Sequence, residues 1–394
     1  MAERDVIIRA VNAANAVPAE AWDAVANPPH TAASSEFDFN PFLSHAYFTA
    51  LEESGSATAR TGWLPQHAVL EDADGEVLGV LPCYLKNHSQ GEYVFDHGWA
   101  DAFERAGGDY YPKLQATVPF TPATGRRILT GNDDDATARR LILAGGLQEL
   151  TNRHEASSAH ITFMQKDEWD ALGEQNYLKR EDQQFHWENK EYETFDAFLA
   201  ALSSSKRKTI RKERRRALEG NGLTIEHLTG DQLTEEVWDT FYRFYMDTGS
   251  RKWGQPYLTR DFYSRIGKTM ADDVLLIMAK REGRYVAGAI NFVGSHVLYG
   301  RHWGCVEDHP FLHFEICYYQ AIDYAIANNL KRVEAGAQGS HKLARGYMPH
   351  LTYSAHYIPH PNFREAVENY LDHERQAVER KARLIAEHGP FKKG

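Results

Sequence analysis

At 394 residues, with 42% hydrophobic and 12% aromatic side chains, the chain exceeds one ordinary core and has enough apolar material to fill two. Its formal net charge of −11 excludes a general nucleic-acid coat. With no run of about eighteen apolar residues, no helix is expected to span a membrane. The first residues include Glu3, Arg4 and Asp5 and no apolar segment, so they do not read as a secretory signal. Cys83, Cys305 and Cys317 lie far apart and cannot all pair, which points to a reduced, cytoplasmic setting.

After a loose start, Ser44 is placed to cap a helix carrying Phe48 and Leu51 that ends at Ser54-Gly55. Strands are predicted at 68–71 and 77–84, joined by the turn Asp72-Ala73-Asp74-Gly75, and another at 92–96. A helix over 135–152 precedes an alternating strand at 160–164, and this half closes near Glu188.

A helix over 195–202, with Phe195, Phe198, Leu199 and Leu202 on one face, opens the second half. A basic helix over 205–219 and a strand at 223–228 follow. Next come two helices, one carrying Trp238, Phe241 and Tyr245, the other Phe262, Ile266 and Met270. Strands recur at 274–280, 285–293 and 297–303, before a long helix over 312–328 and a short strand at 332–335. A strand at 352–358 and a charged helix over 362–387 close the chain. The hairpins at 69–84 and 277–292 look alike, which suggests a duplicated architecture with domains at 1–190 and 191–394.

The densest passage is 336–349, Gly-Ala-Gln-Gly-Ser-His-Lys-Leu-Ala-Arg-Gly-Tyr-Met-Pro. It follows a short apolar strand and gathers Gln338, His341, Lys342, Arg345 and Tyr347 around three glycines. Glycines admit close backbone approach, and loops after strand ends are where α/β proteins place sites. The donors suit a substrate that carries or develops negative charge. An ordinary polar surface loop is the plain alternative.

Together with His313-Phe314-Glu315 and the hairpins, this passage resembles the FemAB-like (peptidoglycan biosynthesis/recognition) N-acyltransferases of the GNAT superfamily. The resemblance runs from about Asn40 to about His360. It implies a mixed α/β fold of two tandem GNAT-like domains. The implied chemistry is transfer of an acyl or aminoacyl group from acyl-CoA or aminoacyl-tRNA to an amine, without a metal. In such domains two neighbouring strands splay around the donor, here 297–303 and 332–335. Tyr299, Arg301 and Trp303 would then face Glu334, Gln338, His341 and Lys342 across the gap. His341, Glu315 and His313 are candidate general bases, with Lys342 or Arg345 stabilising negative charge. Glu315 and His313 are equally well explained by helix-end electrostatics and packing.

The pyrophosphate loop of coenzyme-A-dependent relatives would fall at 304–310. Here Gly304-Cys305-Val306-Glu307-Asp308-His309-Pro310 supplies one glycine and two carboxylates, which disfavours a diphosphate. Lys206, Arg207, Lys208, Arg211, Lys212, Arg214, Arg215 and Arg216 are interrupted only by Thr209, Ile210 and Glu213. Such concentration in an acidic chain calls for a polyanion: tRNA, a nucleotide-linked substrate or anionic lipid at a peripheral membrane contact. The ordinary alternative is a solvated face paired with nearby acids. A zinc site from His309, His313, Cys305 and Cys317 fails on Pro310 and on the lack of a Cys-x-x-Cys pair, so no metal is expected. The rival readings are a tRNA-dependent aminoacyltransferase acting on a cell-envelope precursor, and a non-catalytic module that binds a polyanion or that precursor.

Overall fold

The computed structural model describes residues 5–28, 39–220, 222–252, 256–336 and 339–392. The chain forms two compact units, one comprising Met1–Asp182 with Leu351–Lys381, the other Gln183–His350 with Ala382–Gly394.

In the first unit, β1 (Val6–Val11), β3 (His67–Asp72) and β4 (Val77–Leu81) form a three-stranded antiparallel sheet. A second run pairs β2 (Trp63–Pro65), β5 (Tyr84–Lys86), β6 (Lys113–Ala116), β7 (Ala159–Met164) and β14 (Met348–Tyr357) in that order. The strand expected at 77–84 is therefore two strands in different sheets. Ser44 caps the helix His45–Glu53 as expected, its hydroxyl accepting from Tyr47 N at 3.3 Å. β6 and β7 are parallel, and the helix Ala136–Arg153 between them packs Leu143, Ala144 and Leu147 onto the sheet. The segment 92–96, expected as a strand, is irregular. Its Glu92 and Asp96 turn inward onto fully buried Lys113, whose Nζ lies 2.7 Å from Glu92, so charge pairing decides this local backbone.

The expected boundary between 190 and 191 differs from these units chiefly at the C-terminus. β14 pairs antiparallel with β7, and the helix Pro361–Glu387 packs Phe363, Val367 and Leu371 with Trp99 and Tyr110. The segment Leu351–Lys381 thus belongs to the first unit. Trp99 and Tyr110 are core residues; the Tyr110 hydroxyl donates to Asp96 at 2.6 Å.

In the second unit the order is β8 (Leu178–Glu188), β13 (Arg332–Glu334), β12 (Val297–Cys305), β11 (Arg284–Val293), β10 (Val274–Arg281) and β9 (Leu223–Leu228). Glu282 (φ 50°) and Gly283 (φ 77°) make the two-residue turn of the β10–β11 hairpin, the left-handed pair that matches strand twist. The unbroken apolar run of β10 is explained by cover on both faces. Leu275, Ile277 and Ala279 join a core with Ile316, Tyr319 and Ile322, while Met278 lies on the side of Gly288 and Phe241. As in the first unit, a helical segment links a parallel strand pair, here β12 and β13. It begins as Leu312–Phe314, passes through a π-helical turn at Glu315–Tyr319 and ends as Gln320–Ala327.

Candidate functional site

β12 and β13 run parallel for three pairs: Val297 with Arg332, Leu298 with Val333, Tyr299 with Glu334. There β13 stops, while β12 continues against β11 as far as Cys305. A bulge sets Arg301 and His302 opposite Ile290, between the pairs Ala289–Trp303 and Asn291–Gly300. Ladder pairing between the two strands therefore ends at Tyr299 and Glu334, while Gly300 still lies against the Glu334–Ala335 backbone.

Beyond β13 the chain turns through Gly336 (φ 79°) and Gly339 (φ 120°) into the short 3-10 helix Ser340–Arg345, which Gly346 (φ 91°) ends. Gly346 has a physical requirement: a Cβ there would lie 2.7 Å from Cζ of Phe198. Lys342 is only 2% exposed and donates from Nζ to the Gly336 carbonyl at 2.7 Å. Burial, and then the nearby positive charge of Arg301, lower its pKa to about 7. His341 is exposed, with Nε2 2.8 Å from the Tyr318 hydroxyl. The Tyr347 ring is fully buried beside Tyr318 (centroids 5.4 Å apart), and its hydroxyl has no hydrogen-bond partner among the described residues. Gln338 lies outside the described residues.

Two ion-paired networks hold this turn and the helical segment behind it. Arg345 sends one guanidinium nitrogen to both carboxylate oxygens of Glu213 at 2.9 Å, and another to the His341 carbonyl at 2.7 Å. Its guanidinium stacks 3.4 Å above the Phe314 ring, and the Tyr319 hydroxyl also donates to Glu213. In the second network, Arg214 reaches Glu315 at 2.8 Å and Asp323 at 2.6 Å, and Gln320 donates to Glu315 at 2.8 Å. Glu315 has no solvent exposure, so this candidate base serves here as the counter-ion of Arg214. His313 is half-buried among rings, 5.3 Å from Trp303 and 5.5 Å from Tyr318. Arg345 likewise braces the turn rather than facing solvent.

The basic helix is Ser204–Leu218. Its inward residues, Ile210, Glu213, Arg214 and Ala217, follow the i, i+3, i+4, i+7 spacing with two charges in the middle. Arg214 was expected on the exposed polyanion-binding face; it is instead turned into the Glu315 pair. Arg211 and Arg215 are exposed, pairing with Asp196 at 2.9 Å and Glu219 at 3.7 Å. Lys206, Arg207, Lys208 and Lys212 have no side-chain partner among the described residues. Glu213, Tyr318, Tyr319 and Asp323 were missed by sequence reasoning. The one legible signal was Glu213, a lone acid inside a run of cations.

On the other side of β13, Glu334 is fully buried, paired with Arg332 at 3.1 Å and opposite His186 in register. His186 stacks on His350 at 4.3 Å, and burial lowers its pKa to about 3. Tyr299 is buried, with the Arg301 guanidinium 5.4 Å from its ring centre. In the loop before the helical segment, Glu307 is engaged by Arg281 at 3.0 Å and His309 at 2.9 Å. Among the described residues, no group of three or more His, Cys, Asp or Glu is placed to hold a metal. No helix there is long and apolar enough to cross a membrane.

The β12–β13 strand end, the helical segment behind it and the glycine-bounded turn coincide with a sequence match over residues 13–393 to FemAB-like, the peptidoglycan biosynthesis/recognition family. The chain belongs to that family. A search of curated proteins returned no match. Among solved structures it is similar to FemX, with 13% identity and a TM-score of 0.55 over 89% of this chain and 98% of FemX. It is also similar to L-PGS from Bacillus licheniformis, with 11% identity and a TM-score of 0.51 over 85% of this chain and 98% of that one. A tandem GNAT protein from the clavulanic acid biosynthesis pathway aligns with 12% identity and a TM-score of 0.42 over 90% of this chain and 98% of that one. At such identities the likeness is one of fold. This FemAB-like chain is mixed α/β and shares the fold of FemX.

Proposed function

We propose that this FemAB-like protein is an N-acyltransferase that moves an acyl or aminoacyl group from an activated donor to an amine where β12 and β13 stop pairing. The observation that carries the reading is the end of β12–β13 pairing at Tyr299 and Glu334, with Lys342 buried just past the shorter strand. An acyl transferase must align donor and amine, take a proton and stabilise an oxyanion. The amine nitrogen attacks the donor carbonyl, the C–N bond forms, and the bond to the donor's oxygen or sulfur breaks. A Lys342 with its pKa near 7 is available as a neutral amine to take the nucleophile's proton and return it to the leaving group. Arg301, next to it, offers permanent charge to the developing oxyanion, and His341, hydrogen-bonded to Tyr318, stands at the rim. Tyr299, Trp303 and Tyr347 complete the substrate-binding set. Glu315 and Arg345 hold the frame.

A peptidoglycan-precursor amine as acceptor and a cytoplasmic setting belong to the same proposal; the family and three free thiols support them. The test is transfer from labelled acyl-CoA and from labelled aminoacyl-tRNA to a panel of amines, with Lys342→Ala and His341→Ala alongside. Lys342→Ala is expected to lower the maximal rate roughly a hundredfold or more, as loss of a positioned proton acceptor does, with circular dichroism unchanged. Near-wild-type turnover in both variants would move the chemistry out of this site. No transfer with any donor would favour a non-catalytic binding module.

A further inference from the structure

We infer that the outer edge of β1 pairs with the same strand of a second copy of this chain, joining two three-stranded sheets into one; this goes beyond the transferase reading and does not depend on it. β1 stands at the end of the order β1-β3-β4 and pairs with β3 without a bulge, from Val6 with Asp72 through Val11 with His67. Among the described residues, no backbone group bonds to its other side. Natural sheets protect such an edge with lysines, proline, a bulge or a covering segment. β1 has none of these. Val6 is 36% and Ile7 62% exposed, and its one charge, Arg9, leans back onto Glu71 of β3 at 2.6 Å. The opposite edge of the same sheet is treated differently. Val80 of β4 exchanges backbone hydrogen bonds of 2.7 and 2.8 Å with Leu129, so the chain itself occupies that edge.

The order of residues along the strand points to a second copy as the occupant. Side chains alternate between the faces of a sheet, and Ile8 packs toward the helix Ala136–Arg153, where a Cβ on Gly146 would meet its Cδ1 at 2.4 Å. Asp5, Ile7 and Arg9 therefore share the opposite face. In an antiparallel pair, residues directly opposite each other carry their side chains on the same face, so a twofold axis must pass between a residue and its own copy. Centred on Ile7, the pairing sets Ile7 against the second copy's Ile7, Val6 against its Ile8, and Asp5 against its Arg9. Centred on Ile8, it would oppose Ile7 to Arg9 and Asp5 to Val11; centred on Val6, it would oppose Asp5 to Ile7. Only the Ile7 register gives Asp5, which has no side-chain partner among the described residues, an arginine to meet, twice per dimer. Opposite charges and β-branched side chains directly across a seam are what stabilise cross-strand pairs. A strand of another protein would meet the same backbone groups, but a second copy always brings the reversed order of charges. With Leu129 on the far edge, this pairing consumes the free edge of each sheet and stops at two.

Sedimentation equilibrium of the untagged full chain, from micromolar to hundreds of micromolar, is expected to show monomer and dimer and no larger species. Ile7→Lys sets two ammonium groups against each other on the axis. Asp5→Arg sets arginine against arginine at both ends of the seam, and Arg9→Glu sets carboxylate against carboxylate. Each variant alone should weaken dimerisation roughly 5- to 50-fold, because paired contacts change from attraction to repulsion. The two charge variants are then mixed, each carrying a different fluorophore. In the mixed pair every charged contact is again an arginine against a carboxylate, so the heterodimer should form within about threefold of wild-type affinity while neither variant pairs with itself. Arg9→Glu also gives up the Glu71 contact, so its fold is checked by circular dichroism; Ile7→Lys and Asp5→Arg keep that contact. A wild-type chain that stays monomeric, whether or not another protein's strand binds it, would overturn the inference. So would a dimer indifferent to Ile7→Lys and Asp5→Arg, or folded charge variants that fail to pair when mixed.

Discussion

Replacing Glu213 by Ala tests how the glycine-bounded turn at 336–346 is held. Glu213 is 8% exposed and Arg345 6%, and the pair makes two 2.9 Å contacts while Tyr319 donates to the same carboxylate. Removing the carboxylate leaves a buried guanidinium, stacked on Phe314, without its counter-charge. Breaking one side of such a pair costs about 3–5 kcal/mol. For a domain of this size each kcal/mol lowers the melting temperature by about 2–4 °C, so Glu213→Ala should melt roughly 6–20 °C below wild type. Glu213→Gln keeps an acceptor and should lose about 1.5–3 kcal/mol, the worth of hydrogen bonds to a charged group. The assay is urea and thermal unfolding followed by near-ultraviolet circular dichroism, with Arg345→Met and Glu213→Leu/Arg345→Met closing a double-mutant cycle. The double variant should recover much of the loss, because an apolar pair leaves no orphaned charge. A loss under about 1 kcal/mol in Glu213→Ala, or a double variant as unstable as the sum of the singles, would refute the argument.

The two faces of the basic helix should separate in the same assay. Arg214→Ala strands fully buried Glu315 and should cost about 3–5 kcal/mol, whereas exposed Arg211→Ala should stay within about 0.5 kcal/mol. Gly346→Ala forces a side chain into a φ of 91° and against Phe198, and should lower stability by about 2 kcal/mol or more in equilibrium unfolding. Lys342 has its folded pKa lowered from 10.5 to about 7, so between those values the unfolded chain binds more protons. Stability should therefore rise with pH from about 7 toward 10.5, and Lys342→Met should flatten that rise. The transfer rate should climb through the same lower pKa as the neutral amine appears.

Local rules were enough for much of this chain. The Ser44 cap, the Glu282-Gly283 turn and the apolar run of β10 are decided by residues adjacent in sequence, and they stand where the sequence puts them. Glycines at 336, 339 and 346 marked the turn that carries His341 and Lys342, because only a left-handed backbone needs them there. The short β2, β5 and β6 left no clear pattern, being three or four residues long and completed by partners far along the chain. Tertiary structure alone decided that Leu351–Lys381 returns to the first unit, since strand pairing with β7 and packing on Trp99 are long-range contacts. It also decided which charges of the basic helix turn inward. A run of cations reads as one solvated face until Glu213 meets Arg345 and Arg214 meets Glu315 and Asp323, and those acids and that arginine lie roughly a hundred residues or more away in the sequence. Periodicity registers apolar burial. A buried charge is specified by its partner, and the partner is supplied by the fold.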